Sequence, residues 1–154
     1  MSSPFLEATY APPRLNIRGV DITADDLSEL EPILFAEISN RTPDKQFLEG
    51  RTIINTALNR FPLLNSRGRA TTLRDVLTQP NAYQGYDPQG ISNKQYNLYR
   101  SGQLTELDQQ KVGVVKKLTQ ELLSGKFEDT TGGRVFYTHD KQGRIWLDDR
   151  KLYR

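Results

Sequence analysis

The sequence contains no cysteine and only one histidine, His139. The first absence excludes disulfides, thiolate metal sites and a cysteine nucleophile, and is compatible with a reducing or an oxidising compartment. The second excludes multi-histidine metal centres. A serine–histidine hydrolase would have to rely on that one residue, and the G-x-S-x-G turn that presents such a serine is missing. No apolar run approaches the ~20 residues needed to cross a bilayer. The opening MSSPFLEATYAPPR lacks the basic start and apolar centre of a secretory signal, so action outside a cytoplasm calls for delivery by another route or for a signal already removed. Neither sign of charge dominates, with 21 Lys and Arg against 19 Asp and Glu, interspersed throughout. That describes a solvated mixed surface with a mild preference for anionic partners, and no basic stripe or motif that reads nucleic acid.

What is present fits one globular domain. The 154 residues are 36% hydrophobic and 26% charged, enough for a single core. Residues 1–20, interrupted by Pro4, Pro12 and Pro13, show little periodicity and are expected to form an extended arm, with the domain proper over 21–154. Thr23 followed by Asp26 resembles a helix start, and Leu27, Leu30, Ile33, Leu34 and Ile38 then recur at helical spacing. Pro32 either kinks that helix or restarts it. Thr42-Pro43 opens a second helix with an apolar face of Phe47, Ile54, Ala57, Leu58 and Phe61, Gly50 on the same side permitting close approach.

Thr72 caps a short helix through Leu77, and QPNAYQGYDPQG reads as a long ordered loop. A third long helix is expected over 105–124, burying Leu107, Val114, Val115, Leu118 and Leu122 and stopped by Gly125. Residues 134–138 and 144–147 read as strands around a DKQG turn. The expected class is α+β, mostly α, with a small β-hairpin late in the sequence.

Glu37 is the most informative position. One turn after Ile33, it lies between the directions of Leu34 and Ile38, so its carboxyl points from an apolar face toward the interior. Lost hydration there favours the protonated form that a general acid needs. The plainer reading is a buried glutamate paired with Arg41. Spacing alone leaves both open.

Two neighbouring stretches, ILFAEISNR and EGRTIINTALNRF, bring a family to mind. They resemble the opening of the SleB-type cell-wall hydrolases, in which an A-E pair ends one helix and a "G-x-x-x-I-x-x-x-x-L-N-R" helix follows. The matching residues are Ala36, Glu37, Gly50, Ile54, Leu58, Asn59 and Arg60. TLRDVLTQPNAYQG resembles the family's "V-x-x-Q" loop, and LLSGKFEDTTGGRVFYTH its closing block. The four blocks run in the family's order over roughly residues 33–139. The resemblance implies a lysozyme-like helical domain in which Glu37 is the catalytic acid. It implies that Gln79 and Tyr83 border a sugar groove, and that Thr131 and Tyr137 line the same cleft. The sequence departs from the family at Ile38-Ser39-Asn40, at PNAYQG and at Arg134, which leaves the acid intact and alters the fine contacts.

Other candidates have plainer alternatives. Tyr83, Tyr86, Tyr96 and Tyr99 can stack on sugars or simply pack. Gln79 and Asn81 can bond hydroxyls or close turns. Arg60 fits a helix end, and His139 a hairpin surface. A conventional glycosidase needs a second carboxylate, for which Asp44, Glu49, Asp75, Asp87 and Asp129 are available without a motif that selects one.

The resemblance therefore leads to cleavage of peptidoglycan glycan strands, as a lytic transglycosylase or muramidase acting in the periplasm or cell wall, without metal or organic cofactor. The rival is a non-catalytic structural component, such as a virion or tail part, on the same fold. In either case the arm could dock to a virion or secretion machine.

Overall fold

The computed structural model describes residues 15–150. Two short antiparallel hairpins flank a helical body. Strands β1 (Leu15–Ile17) and β2 (Val20–Ile22) form the first hairpin. The helices are α1 (Ala24–Glu37), α2 (Pro43–Ser66), α3 (Leu73–Leu77), α4 (Asn93–Ser101) and α5 (Gln109–Leu123), the last preceded by a 3-10 turn over Glu106–Asp108. Strands β3 (Phe136–His139) and β4 (Ile145–Asp148) form the second hairpin, with His139 opposite Ile145 and Phe136 opposite Asp148. The chain is thus α+β and mostly α.

Helix α1 is the centre of the body. It packs against α3, α4 and α5, while α2 lies on α3 and α5. Thr23 and Asp26 form the reciprocal capping box that the sequence suggests, with Thr23 Oγ accepting from the Asp26 N–H at 3.2 Å. The helix then runs through Pro32 without a restart. Leu30, Ile33, Leu34 and Phe35 are completely buried, and the burial of four large side chains outweighs the one helical hydrogen bond that proline cannot donate. Helix α2 begins at Pro43 as expected, but Thr42 contributes no side-chain cap; its hydroxyl donates to Asp44 instead. At Gly50 an added Cβ would sit 2.2 Å from Leu118 Cδ1, which is how closely α5 crosses α2.

Three expectations change. The arm expected over 1–20 divides, since residues 1–14 lie outside the described residues and Leu15 to Val20 belong to the first hairpin. Leu107, expected inside, is 94% exposed because the 3-10 turn rotates it off the apolar face that Val114, Val115, Leu118 and Leu122 form. Helix α4 is not anticipated because NKQYNLYRS is mostly polar and buries only Tyr96. Among the described residues no helix is long and apolar enough to cross a membrane.

Candidate functional site

Glu37 is the last residue of α1, and only 6% of its surface is exposed. Ile33, Leu34 and Ile38 surround its stem, all buried as the periodicity requires. Three donors hold the carboxyl, two from the 85–92 segment and one from β3. The Gly85 N–H donates to Oε2 at 3.1 Å, the Ser92 hydroxyl to the same oxygen at 3.3 Å, and the Tyr137 hydroxyl to Oε1 at 2.7 Å. A carboxylate offers about four acceptor positions, so one on Oε1 remains open. Gly85 can approach because it lacks a side chain; a Cβ there would lie 2.6 Å from that of Ala36.

Strand β3 grips the same residue twice. Besides Tyr137, it carries His139, whose Nε2 lies 3.1 Å from the Glu37 backbone oxygen and so must bear the donated hydrogen. The two rings meet edge to face at 5.6 Å. Lys111 completes the helix end from α5, its buried ammonium donating to the Ile38 carbonyl at 2.9 Å. Burial pushes the Tyr137 hydroxyl well above the ordinary tyrosine range, and the neighbouring Glu37 charge adds to the shift. That phenol therefore stays protonated and remains a donor. Replacing Tyr137 with Phe removes the bond, and we expect a loss of about 1.5 kcal/mol in chemical denaturation, within the range for hydrogen bonds to charged groups.

Tyr83 stands one layer back. Its ring lies 6.4 Å from that of Tyr137, and its hydroxyl accepts from Arg60. Arg60 does not terminate a helix. It is 5% exposed in the body of α2, donates to the Val135 carbonyl at 2.9 Å and stacks over the Tyr83 ring at 5.1 Å. A buried guanidinium thus anchors both Tyr83 and the approach to β3.

Of the four residues expected to share a cleft with Glu37, the fold brings Tyr137 into contact and Tyr83 beside it. Gln79 and Thr131 go elsewhere. Gln79 Nε2 donates to the Arg69 and Asp75 carbonyls and closes the turn after α3. Thr131 belongs to a separate polar knot, donating to Asp129 Oδ1 at 2.5 Å and accepting from Asn59 at 3.0 Å. Tyr96 and Tyr99 are spent on packing, their hydroxyls bonded to Glu29 and Glu31. The pairing of Glu37 with Arg41 does not occur either; Arg41 reaches Glu49, which also accepts from Ser39. Ser92, Gly85 and His139 join the site without any local signal, since each reaches Glu37 across the fold.

None of the five alternative carboxylates makes its bonds at Glu37. Glu49 is held by Ser39 and Arg41, Asp44 by Thr42 and Asp75 by its capping box, while Asp87 accepts from the Gln89 N–H. At Asp129 burial opposes ionisation, but hydrogen bonds from Thr131, Asn59 and Gly133 outweigh it and hold the carboxyl below the usual range. The knot's contribution is therefore complete above the unfolded-state value near 3.9 and is lost as pH falls through the depressed folded-state value. Accordingly, the stability gap between the wild type and Asp129→Asn should be constant near neutrality and should close below about pH 4. Denaturation curves at pH 6 and pH 3 measure it.

Two hollows adjoin this region. One of about 260 Å³ is lined by Asn81, Tyr83, Gln84, Asp87 and the Gln89–Ile91 turn. A wider groove of about 820 Å³ lies between that turn and α4. Glu37 is not among the lining residues of either; its carboxyl is bonded to Gly85 and Ser92, in the same stretch of chain as those residues. Among the described residues no cluster of three or more His, Asp or Glu side chains is arranged to hold a metal ion. No protein-family model matches the chain, and no curated protein or solved structure is significantly similar to it.

Proposed function

We propose that this protein cleaves the glycan strand of peptidoglycan, with Glu37 as general acid and then base. The observation that carries the reading is a single helix-terminal carboxyl, almost fully buried, with Oε2 doubly occupied and Oε1 holding one open position. A proton carried on Oε1 meets the glycosidic oxygen between N-acetylmuramic acid and N-acetylglucosamine. The bond from the muramic C1 to that oxygen breaks as the oxygen takes the proton. The carboxylate then removes the proton of the muramic 6-hydroxyl, whose oxygen closes on C1 to give the 1,6-anhydro ring. This substrate-assisted route asks for one carboxyl, and it suits a site where the other candidates are bonded elsewhere. The resemblance of residues 33–139 to SleB-type hydrolases supports the same chemistry and, with it, an action in the periplasm or cell wall.

A second reading rests on the same burial. A carboxylate with three donors also serves as a tie between α1, the 85–92 segment and β3, and a non-catalytic structural component would use it so. Purified peptidoglycan distinguishes the two. The protein should lower its turbidity and release fragments 18 Da lighter than hydrolysis products, the mass of the water that transglycosylation does not consume. Release of hydrated ends instead would make it a muramidase, and no release from any peptidoglycan would favour the structural reading.

A further inference from the structure

The groove beside α4 has a one-sided charge. Its lining includes Lys94 and Arg100 but no carboxylate, together with the amides of Asn93, Asn97 and Gln103. The Lys94 ammonium has no partner among the described residues. Arg100 spends one N–H on the Tyr96 hydroxyl at 2.9 Å and stacks over that ring at 5.6 Å, which leaves most of its five donors unused. Glu29, the acid whose charge acts on Arg100, is 2% exposed and already bonded to Tyr96 and paired with Arg74. Ile91, 90% exposed, and Leu98 add apolar surface. At about 820 Å³ the groove lies within the usual range for ligand clefts.

It is also built into the Glu37 site. Asn93, in its lining, donates to the Gly85 carbonyl at 2.9 Å, while the Gly85 N–H and the adjacent Ser92 hold the Glu37 carboxyl. One short segment therefore forms the groove wall on one side and the acid's cradle on the other.

We propose that this groove binds the carboxylates of a peptide attached to the glycan, which makes the preferred polymer an anionic, peptide-bearing one and not a neutral N-acetylhexosamine chain. The proposal rests on the cleavage reading above and adds its substrate class. Two cations at the rim of an open groove bind carboxylates with modest strength, and salt weakens them.

The test uses the full chain carrying Glu37→Gln, so that substrate persists. Calorimetry compares a soluble disaccharide–peptide bearing free carboxylates with the same fragment amidated. The free acid should bind about tenfold more tightly at low salt, a preference that falls toward unity in Lys94→Gln/Arg100→Gln and at high salt. Because Arg100→Gln also disturbs Tyr96, Lys94→Glu serves as a second variant and should abolish the preference without a folding defect. Equal binding of the two fragments, or a preference that survives both variants, overturns the proposal. If the wild type cuts peptidoglycan yet shows no preference, the groove assignment fails alone. If the preference appears but nothing is cut, the cleavage reading fails alone.

Discussion

Replacing Glu37 with Gln is expected to reduce peptidoglycan cleavage by roughly 10²- to 10⁴-fold, the contribution typical of general acid–base catalysis, while the protein stays folded. The amide keeps the volume but loses the transferable proton. Its carbonyl oxygen must face the Gly85 N–H and Ser92, because an NH₂ group there would oppose a backbone donor. The NH₂ then faces Tyr137, whose hydroxyl can turn and accept. Each partner keeps one bond but the buried Tyr137 O–H loses its acceptor, so stability should fall by no more than about 1–2 kcal/mol. Turbidity clearing and thermal melting on the same two proteins measure both halves. Full activity in a folded Gln variant would remove Glu37 from the chemistry.

Gly90→Ala should have the largest effect of any single methyl group. A Cβ at Gly90 would lie 1.9 Å from the Gln84 carbonyl oxygen and 2.6 Å from its carbon, both backbone atoms that cannot rotate away. Relief requires opening the 84–90 turn, which is braced by the Gly90 N–H donating to Asp87 O at 2.8 Å. Displacing Gln84 moves Gly85, one of the donors to Glu37. We expect a loss of about 3 kcal/mol, at the upper end of ordinary overpacking, with cleavage reduced even at temperatures where the fold survives. Gly113→Ala is the matched control. Nothing lies within 4 Å of the corresponding Cβ on the exposed side of α5, and alanine there should stabilise the helix by about 1 kcal/mol.

The helices were legible where local chemistry and burial agree. Thr23 with Asp26, and Thr72 with Asp75, are reciprocal caps that need no tertiary partner to be recognised. Glu37 was legible for the same reason, because Ile33, Leu34 and Ile38 point it inward whatever else the chain does. The remainder of the site is nonlocal. Ser92 and His139 acquire their roles only by lying across the fold from α1, and nothing in their immediate sequence requires it. Arg60 misled because the LNRF stretch looks like a helix end, whereas α2 continues to Ser66 and buries the guanidinium. Leu107 misled because a 3-10 turn has a different period from the helix that follows it. Tyr137 reaches Glu37 and Thr131 does not, although both belong to one resembling block. The two are six residues apart, and the Asp129 turn holds Thr131 on α2.

The hydrogen bond from Tyr137 spans 100 residues, and that has a consequence for how the protein is made. Synthesis delivers Glu37 about 100 residues before β3, so the acid emerges well ahead of its partners on Oε1 and on its own carbonyl. A chain stopped before Phe136 would keep the Gly85 and Ser92 donors to Oε2 but lose the Tyr137 bond to Oε1 and the His139 bond to the Glu37 carbonyl. The full set of bonds around Glu37 thus forms only once the hairpin is made, so a nascent or clipped chain would lack part of it while keeping the sequence of every helix.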